Sequence, residues 1–133
     1  ACEKRFKCYL WTDDLDKAVS GRNDREPTET YAIWVRARIE ADKEYKNKSA
    51  NDLKKEQILG ITLLERLLIE PDYYVETKKH LDRKSITLCA GSRISDGNVP
   101  YVHWNVEDGE LYVHWGNPDR RYGFLRTRAV VSA

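Results

Sequence analysis

The sequence has no long apolar run and no excess of charge of either sign. Its 133 residues include 23 lysine and arginine side chains against 22 aspartate and glutamate side chains, so the formal net charge is +1. A generic polyanion-binding protein carries a clear positive excess, so any nucleic-acid site here must be a local surface. The most apolar stretch, residues 58–69, contains Gly60, Glu65 and Arg66 and is shorter than the roughly 18 residues of a membrane span.

Cysteine is scarce, and its three copies, Cys2, Cys8 and Cys89, form no CxxC pair. We expect a reducing compartment in which Cys8 and Cys89 are small buried hydrophobes. The alternative is a secreted chain with a Cys2–Cys89 or Cys8–Cys89 disulfide. Residues 1–5 lack the apolar segment of a secretory signal. Together these features predict a cytoplasmic protein.

Strong catalytic motifs are also missing, because no nucleophile elbow, phosphate-binding loop or dinucleotide-binding glycine motif occurs. Pro71-Asp72 and Glu76-Thr-Lys78 imitate a nuclease pattern, but Asp72 and Glu76 would share one face of a helix and Lys78 would point elsewhere. His80-Leu-Asp82 is weak evidence for an acid–base pair and equally suits a helix end. Residues 91–97 form a polar loop that is either only a connection or a candidate anion site made of backbone N–H groups and Arg93. We therefore predict no cofactor and favour a non-enzymatic role.

Hydrophobic periodicity predicts one α+β domain over residues 1–133. The sheet is expected to be mostly antiparallel and to pack on one long helix, about 51–70, followed by a shorter helix, about 72–81. Ser49 or Asn51 would cap the long helix, and Pro71 would end it. A short helix capped by Thr12 precedes them. The predicted strands are residues 6–11, 31–40, 86–90, the two halves of segment 101–116, and about 122–131.

The clearest feature is a hairpin in which two alternating runs flank Asp108-Gly109, a strong signal for a two-residue turn. This turn predicts a buried face made of three cross-strand pairs: Val106–Leu111, Trp104–Val113 and Val102–Trp115. On the other face the same register predicts the pairs Asn105–Tyr112, His103–His114 and Tyr101–Gly116. Directly opposed Cβ atoms lie about 4.5–5.5 Å apart, so the two imidazoles should lie side by side.

The outward residues of the other strands would extend this face if all strands share one sheet. The candidate binding residues are Trp34, Arg36, Arg38, Tyr101, His103, Tyr112, His114, Arg120, Arg121, Arg126 and Arg128, next to Lys7, Tyr9, Trp11, Tyr122 and Phe124. Base stacking on aromatic rings with arginine–phosphate pairing is how single-stranded nucleic acid is bound, and protein interfaces favour the same residue types. Aromatic residues are also common in sheets for packing alone, and the Tyr122 and Phe124 side of the last strand could face the core.

We therefore predict a recognition module that uses this outer face, with single-stranded nucleic acid slightly favoured over a protein partner and with no membrane association. The sequence leaves the oligomeric state open. The rival hypothesis is a metal-dependent enzyme in which His103 and His114 hold zinc or copper. A third interpretation is that this is simply a solvent-facing polar sheet side, or that the imidazoles bond to tyrosine hydroxyls.

Overall fold

The computed structural model describes residues 8–10, 14–26 and 31–132. Within these ranges the elements are, in chain order, β1 (Cys8–Leu10), α1 (Leu15–Val19), β2 (Trp34–Val35), a 3₁₀ turn (Lys43–Tyr45), α2 (Ala50–Lys55), α3 (Leu63–Thr77), β3 (Ile86–Leu88), β4 (Val99–Asn105), β5 (Glu110–Gly116), β6 (Leu125–Thr127) and β7 (Val130–Ser132). No helix in these ranges has the length and apolarity needed to cross a bilayer.

Five strands form a mixed sheet in the order β1-β5-β4-β3-β6. The central strand β4 is antiparallel to both β5 and β3, whereas the edge strands β1 and β6 run parallel to β5 and β3. β2 and β7 form a separate antiparallel pair. The α+β class predicted from the sequence is therefore confirmed. The 31–40 segment, which the sequence predicts as one long strand, forms only the two-residue strand β2, so the condition that all strands share one sheet is not met.

The two predicted helices have different boundaries in the structure. α2 ends at Lys55, a turn follows at 56–57, and the chain then passes through Gly60 before α3 begins. Ile61 N–H donates to the Arg128 carbonyl at 2.9 Å, and the Leu59 carbonyl accepts from Val130 N–H at 2.8 Å. These bonds to a distant segment use backbone groups that a continuous helix would need internally. The single helix over 51–70 is therefore broken in two.

Capping residues explain where each helix begins. Ser49 and Asp52 form a capping box at the start of α2, as the sequence suggested for Ser49, and Thr62 and Glu65 form a second box at the start of α3. α3 continues through Pro71, contrary to the prediction; Glu70 directly before the proline is buried, and Tyr73 and Tyr74 after it are half-buried. It ends at Lys78, which adopts a left-handed conformation with φ 61°.

The sheet carries a packed core on each face. On one face α1 and α3 contribute Val19 and Leu63 to a cluster with Val102, Leu111 and Val113. On the other face α2 covers β3, β6 and the start of β4, in a cluster of Ala50, Leu53, Leu88, Val99 and Leu125. The second core covers only part of its face, and the β1 and β5 side of that face is where the site lies.

The thiol of Cys89 belongs to the first core and is free, so neither disulfide that the sequence left open is present. Burial raises the pKa of Cys89 to about 12. The expectation that Cys89 is a small buried hydrophobe is confirmed, and Cys8 packs partly buried against the same cluster. Cys2 and Thr12 lie outside the described residues. Asp14 caps α1 by accepting from Lys17 N–H at 3.0 Å.

Candidate functional site

Strands β4 and β5 are joined by a four-residue loop, 106–109, and the predicted two-residue turn is wrong. Asn105 pairs with Glu110 across the loop. The Asn105 carbonyl accepts from Gly109 N–H at 2.9 Å, and its side-chain oxygen accepts from Asp108 N–H at 3.0 Å. Gly109 supplies the left-handed conformation, with φ 66°. Val106 consequently lies in the loop with 64% of its surface exposed and does not pair with Leu111.

The longer loop moves the register by two residues, which keeps every side chain on its predicted face because strand side chains alternate with a period of two. Val102, Leu111 and Val113 are buried as expected. The cross-strand partners change, and Tyr101 now opposes His114 while His103 opposes Tyr112.

The prediction that His103 and His114 oppose each other is therefore wrong. Trp104 now pairs with Leu111 and packs partly buried against the first core. Trp115 pairs with Pro100 and is 38% exposed, so the prediction that both tryptophans are buried fails at Trp115. The described residues contain no group of three or more histidine, cysteine, aspartate or glutamate side chains that could hold a metal ion. The metal hypothesis thus loses the geometry on which it was based.

The new register brings five ring side chains together on the sheet face that carries α2. They come from three neighbouring strands, because β1 lies beside β5 with Tyr9 opposite Tyr112. We call this set the aromatic patch: Tyr9, Tyr101, His103, Tyr112 and His114. Tyr9 was only a neighbour of the predicted site, since the parallel pairing of β1 with β5 cannot be read from local pattern.

The rings of the aromatic patch form a continuous chain of contacts. The Tyr101 and His114 centroids lie 5.8 Å apart, and His114 lies 6.2 Å from Tyr9 with nearly parallel ring planes. Tyr9 lies 5.0 Å from Tyr112, which lies 5.5 Å from His103. These separations are those of interacting aromatic pairs, so the rings support one another as one surface.

The patch is accessible because the helix on this face stops short of it. Tyr101 touches the second core under α2, whereas Tyr9 at the edge strand is 42% exposed. The other rings of the patch are partly exposed. Partly exposed aromatic rings of this kind can contact a planar ligand.

Two rings of the patch are uncharged near neutral pH. The Tyr112 hydroxyl donates to an Asp108 carboxylate oxygen, and this bond raises the pKa of Tyr112 to about 12. Burial lowers the pKa of His103 below its usual 6.5, so its imidazole stays neutral at pH 7. Neutral rings contact a base without the cost of removing water from an ion.

Arg120 lies at the Tyr101 end of the patch. A Cβ atom added at Gly116 would lie 3.3 Å from the Tyr101 ring and 3.6 Å from Arg120 Nη1, so both groups lie over this glycine. The guanidinium also lies 5.5 Å from the Tyr122 ring centroid. Among the described residues, no carboxylate lies within 4.0 Å of Arg120.

Three of the other predicted arginines instead pair with acidic side chains. Arg36 contacts Asp42 at 3.0 Å, and Arg38 contacts Glu44 at 3.0 Å. Arg121 and Asp52 form a two-bond pair at 2.6 and 2.7 Å. The hydrogen bond from Arg38 lowers the pKa of Glu44 to about 2, and Arg121 likewise lowers that of Asp52. These guanidinium groups are already compensated.

Arg126 and Arg128 serve the fold, and the predicted outward orientation of Arg128 is wrong. Arg126 donates to the Gly123 carbonyl at 2.7 Å. Arg128 is 2% exposed, because the chain passes from β6 in the main sheet to β7 in the second sheet at this residue. The predicted alternation over 122–131 holds through Leu125 and Thr127, which are buried, and fails at Arg128.

The remaining predicted aromatic residues lie away from the patch or outside the described residues. Trp34 is 70% exposed on β2 in the second sheet. Tyr122 and Phe124 stack on each other at 5.4 Å near Arg120, and both are about half exposed. Lys7 and Trp11 lie outside the described residues.

Sequence reasoning missed a buried charge network behind the first core. Arg66 donates to Glu70 at 2.7 Å and to Asp82 at 3.1 Å, and Asp82 also accepts from Arg128 at 2.7 Å. His80 contacts Glu70 at 2.9 Å and stacks on the Trp104 ring. The four-residue spacing of Arg66 and Glu70 was a visible signal for one pair, but the contribution of Asp82 depends on tertiary structure. The network joins α3 to the sheet.

Comparison of the chain with protein-family models, with characterised proteins and with solved structures gives no match. The functional proposal therefore depends on the geometry of the site.

Proposed function

We propose that this protein is a non-enzymatic module that binds single-stranded nucleic acid by stacking bases on the aromatic patch. The observation that carries the proposal is the unbroken chain of five rings on three adjacent strands, on a sheet face that α2 leaves partly open. Every base has a π-face, so such a surface binds extended strands with little sequence preference.

The charge distribution favours a particular mode of binding. Arg120 is placed to contact a phosphate at the Tyr101 end, whereas Arg36, Arg38 and Arg121 are compensated by carboxylates. At the opposite end Glu110 and Asp108 lie beside Tyr112 and would repel phosphates. Affinity should therefore come mainly from stacking, with one phosphate contact at the Arg120 end.

The proposal is tested by removing one ring at a time. Base stacking on an aromatic side chain is worth about 1–3 kcal/mol per base by alanine substitution, so Tyr112→Ala should weaken binding of a short oligothymidylate about fivefold to a hundredfold. Tyr112→Phe should bind nearly as well as the original protein, because it keeps the ring and loses only the hydroxyl bond to Asp108. Fluorescence anisotropy with a labelled oligonucleotide measures both affinities.

Trp34→Ala is the control, since Trp34 is a larger and more exposed aromatic residue on the other sheet. It should leave the affinity unchanged, and circular dichroism verifies that each variant is folded. Absence of oligonucleotide binding, or equal losses in Tyr112→Ala and Trp34→Ala, would reject the aromatic patch as a nucleic-acid site.

A further inference from the structure

A cavity of about 250 Å³ lies between α2, residues 22–24 and the turn at 90–93. Two backbone bonds join the last two segments: Asp24 N–H donates to the Gly91 carbonyl at 2.7 Å, and Arg93 N–H donates to the Arg22 carbonyl at 2.9 Å. The cavity is therefore built from three parts of the chain that are held together, and it shares no residue with the aromatic patch.

The cavity carries an excess of positive charge. Arg22, Lys54 and Arg93 line it, and Asp24 is the one acidic residue among the described lining residues. No described carboxylate lies within 4.0 Å of any of the three cations. An anion entering this space would meet a net charge of about +2 at short range, where such attraction is strong.

Arg93 is the central cation because it is partly buried. Its Nη1 donates to the carbonyls of Ala90 and Ser92 at 3.1 and 3.2 Å, which fixes the side chain. Its Nε and Nη2 have no hydrogen-bond partner among the described residues. Burial lowers the pKa of Arg93, and the nearby charge of Asp24 offsets this effect only in part.

The backbone N–H groups of this turn contribute nothing to anion binding, which corrects the sequence-based hypothesis for this loop. Gly91, Ser92 and Arg93 donate to the carbonyls of Ile61, Cys89 and Arg22. An anion would therefore be held by side chains alone. The rest of the wall is largely apolar and includes Leu53, Ile58 and Ala90.

We propose that this cavity binds a small organic anion in which a carboxylate meets Arg93 and a short aliphatic chain lies against the apolar wall. The volume is below the roughly 300 Å³ at which drug-sized pockets begin, which suits a ligand of a few carbon atoms. Leu53, Ile58 and Ala90 provide the apolar contact that an inorganic anion would not use.

The test is a titration of the whole chain with butanoate, hexanoate and hexylamine, followed by amide NMR shifts. Hexanoate should saturate, with shifts centred on residues 22, 54, 91 and 93. It should bind more tightly than butanoate, by up to about fourfold per added methylene. Hexylamine has the same chain with a positive charge and should not bind. Equal shifts with hexanoate and hexylamine, or shifts that never saturate, would overturn the proposal.

Two variants test whether the cations of the cavity contribute to hexanoate binding. Arg93→Gln should lower hexanoate affinity about tenfold to a hundredfold, the value of a hydrogen bond to a charged group. Lys54 is exposed at the rim, so Lys54→Gln tests the site without disturbing the turn and should lower affinity severalfold. Arg83→Gln is the control, since Arg83 is exposed and does not line the cavity. Unchanged affinity in Lys54→Gln and in a folded Arg93→Gln protein would also overturn the proposal.

Discussion

Asp82 is the residue on which the buried charges of the fold converge. Its carboxylate accepts from Arg66, Arg128 and Thr87, and both guanidinium groups are almost completely buried. Asp82 itself lies in the left-handed region, with φ 54°, so the loop before β3 is bent to bring the carboxylate to this point. An isolated buried charge is very costly, so each member of the network depends on the others.

Asp82→Asn should therefore destabilise the protein strongly. The change leaves Arg66 and Arg128 with only Glu70 as a described acidic partner, and breaking a buried pair costs about 3–5 kcal/mol. Urea denaturation followed by circular dichroism measures the free energy of unfolding. Asp72→Asn is the control, because Asp72 is exposed on α3, and it should change stability by no more than about 0.5 kcal/mol. A loss below about 1 kcal/mol for Asp82→Asn would show that the network is not essential.

At the scale of elements, the extended segment at 59–61 decides how the helices are arranged. Gly60 allows it to pass close to the sheet, since a Cβ atom there would lie 2.6 Å from Thr127 Oγ1 and 2.7 Å from the Ala90 Cβ. The segment separates α2 from α3 and thereby lets the two helices cover opposite faces of the sheet.

Gly60→Ala should consequently cost stability, because the added methyl group forces Thr127 or Ala90 to move. Overpacking of this kind typically costs about 1–3 kcal/mol. Gly123→Ala is the matched control, since the nearest atom to its added Cβ is 4.0 Å away. Thermal unfolding of both variants measures the difference, and equal stabilities would mean that the close approach at Gly60 is not limiting.

The elements also show what could be predicted from the sequence. Alternation correctly assigned the two faces of the hairpin and the buried side of residues 125–127, because face depends only on local period. The Thr62 and Glu65 capping box was a readable signal for the start of α3. The break after Lys55 was not readable, because it depends on pairing with residues 128–130 far along the chain.

At the loop 106–109, a side-chain hydrogen bond outweighs the preference of the Asp108-Gly109 dipeptide for a two-residue turn. Asp108-Gly109 does lie in the turn. A longer loop forms because the Asn105 side-chain oxygen accepts a hydrogen bond from Asp108 N–H. That change replaced the predicted histidine pair by the pairs Tyr101–His114 and His103–Tyr112. The predicted register and the register in the structure place the same residues on each face. The aromatic surface was therefore predictable, whereas the cross-strand partner of each ring was not.

At the scale of the whole molecule, positive and negative charges nearly cancel in total. The net charge is +1, and the arginines that the sequence placed on one binding face are mostly paired with carboxylates or used inside the fold. These arginines can be excluded as phosphate contacts only once the positions of Asp42, Glu44, Asp52 and Asp82 are known. We therefore expect single-stranded nucleic acid to bind by stacking, with little electrostatic contribution to the affinity.

The most direct test is the salt dependence of binding to an oligothymidylate of about ten nucleotides. The slope of log affinity against log salt is negative, and its magnitude grows by about 0.7 per phosphate contact on a single strand, so one contact from Arg120 predicts a magnitude near 0.7. Arg120→Gln should bring the slope close to zero, whereas Arg121→Gln should leave it unchanged. A slope of magnitude about 4, as six phosphate contacts would give, or no binding even at about 50 mM salt, would contradict the account.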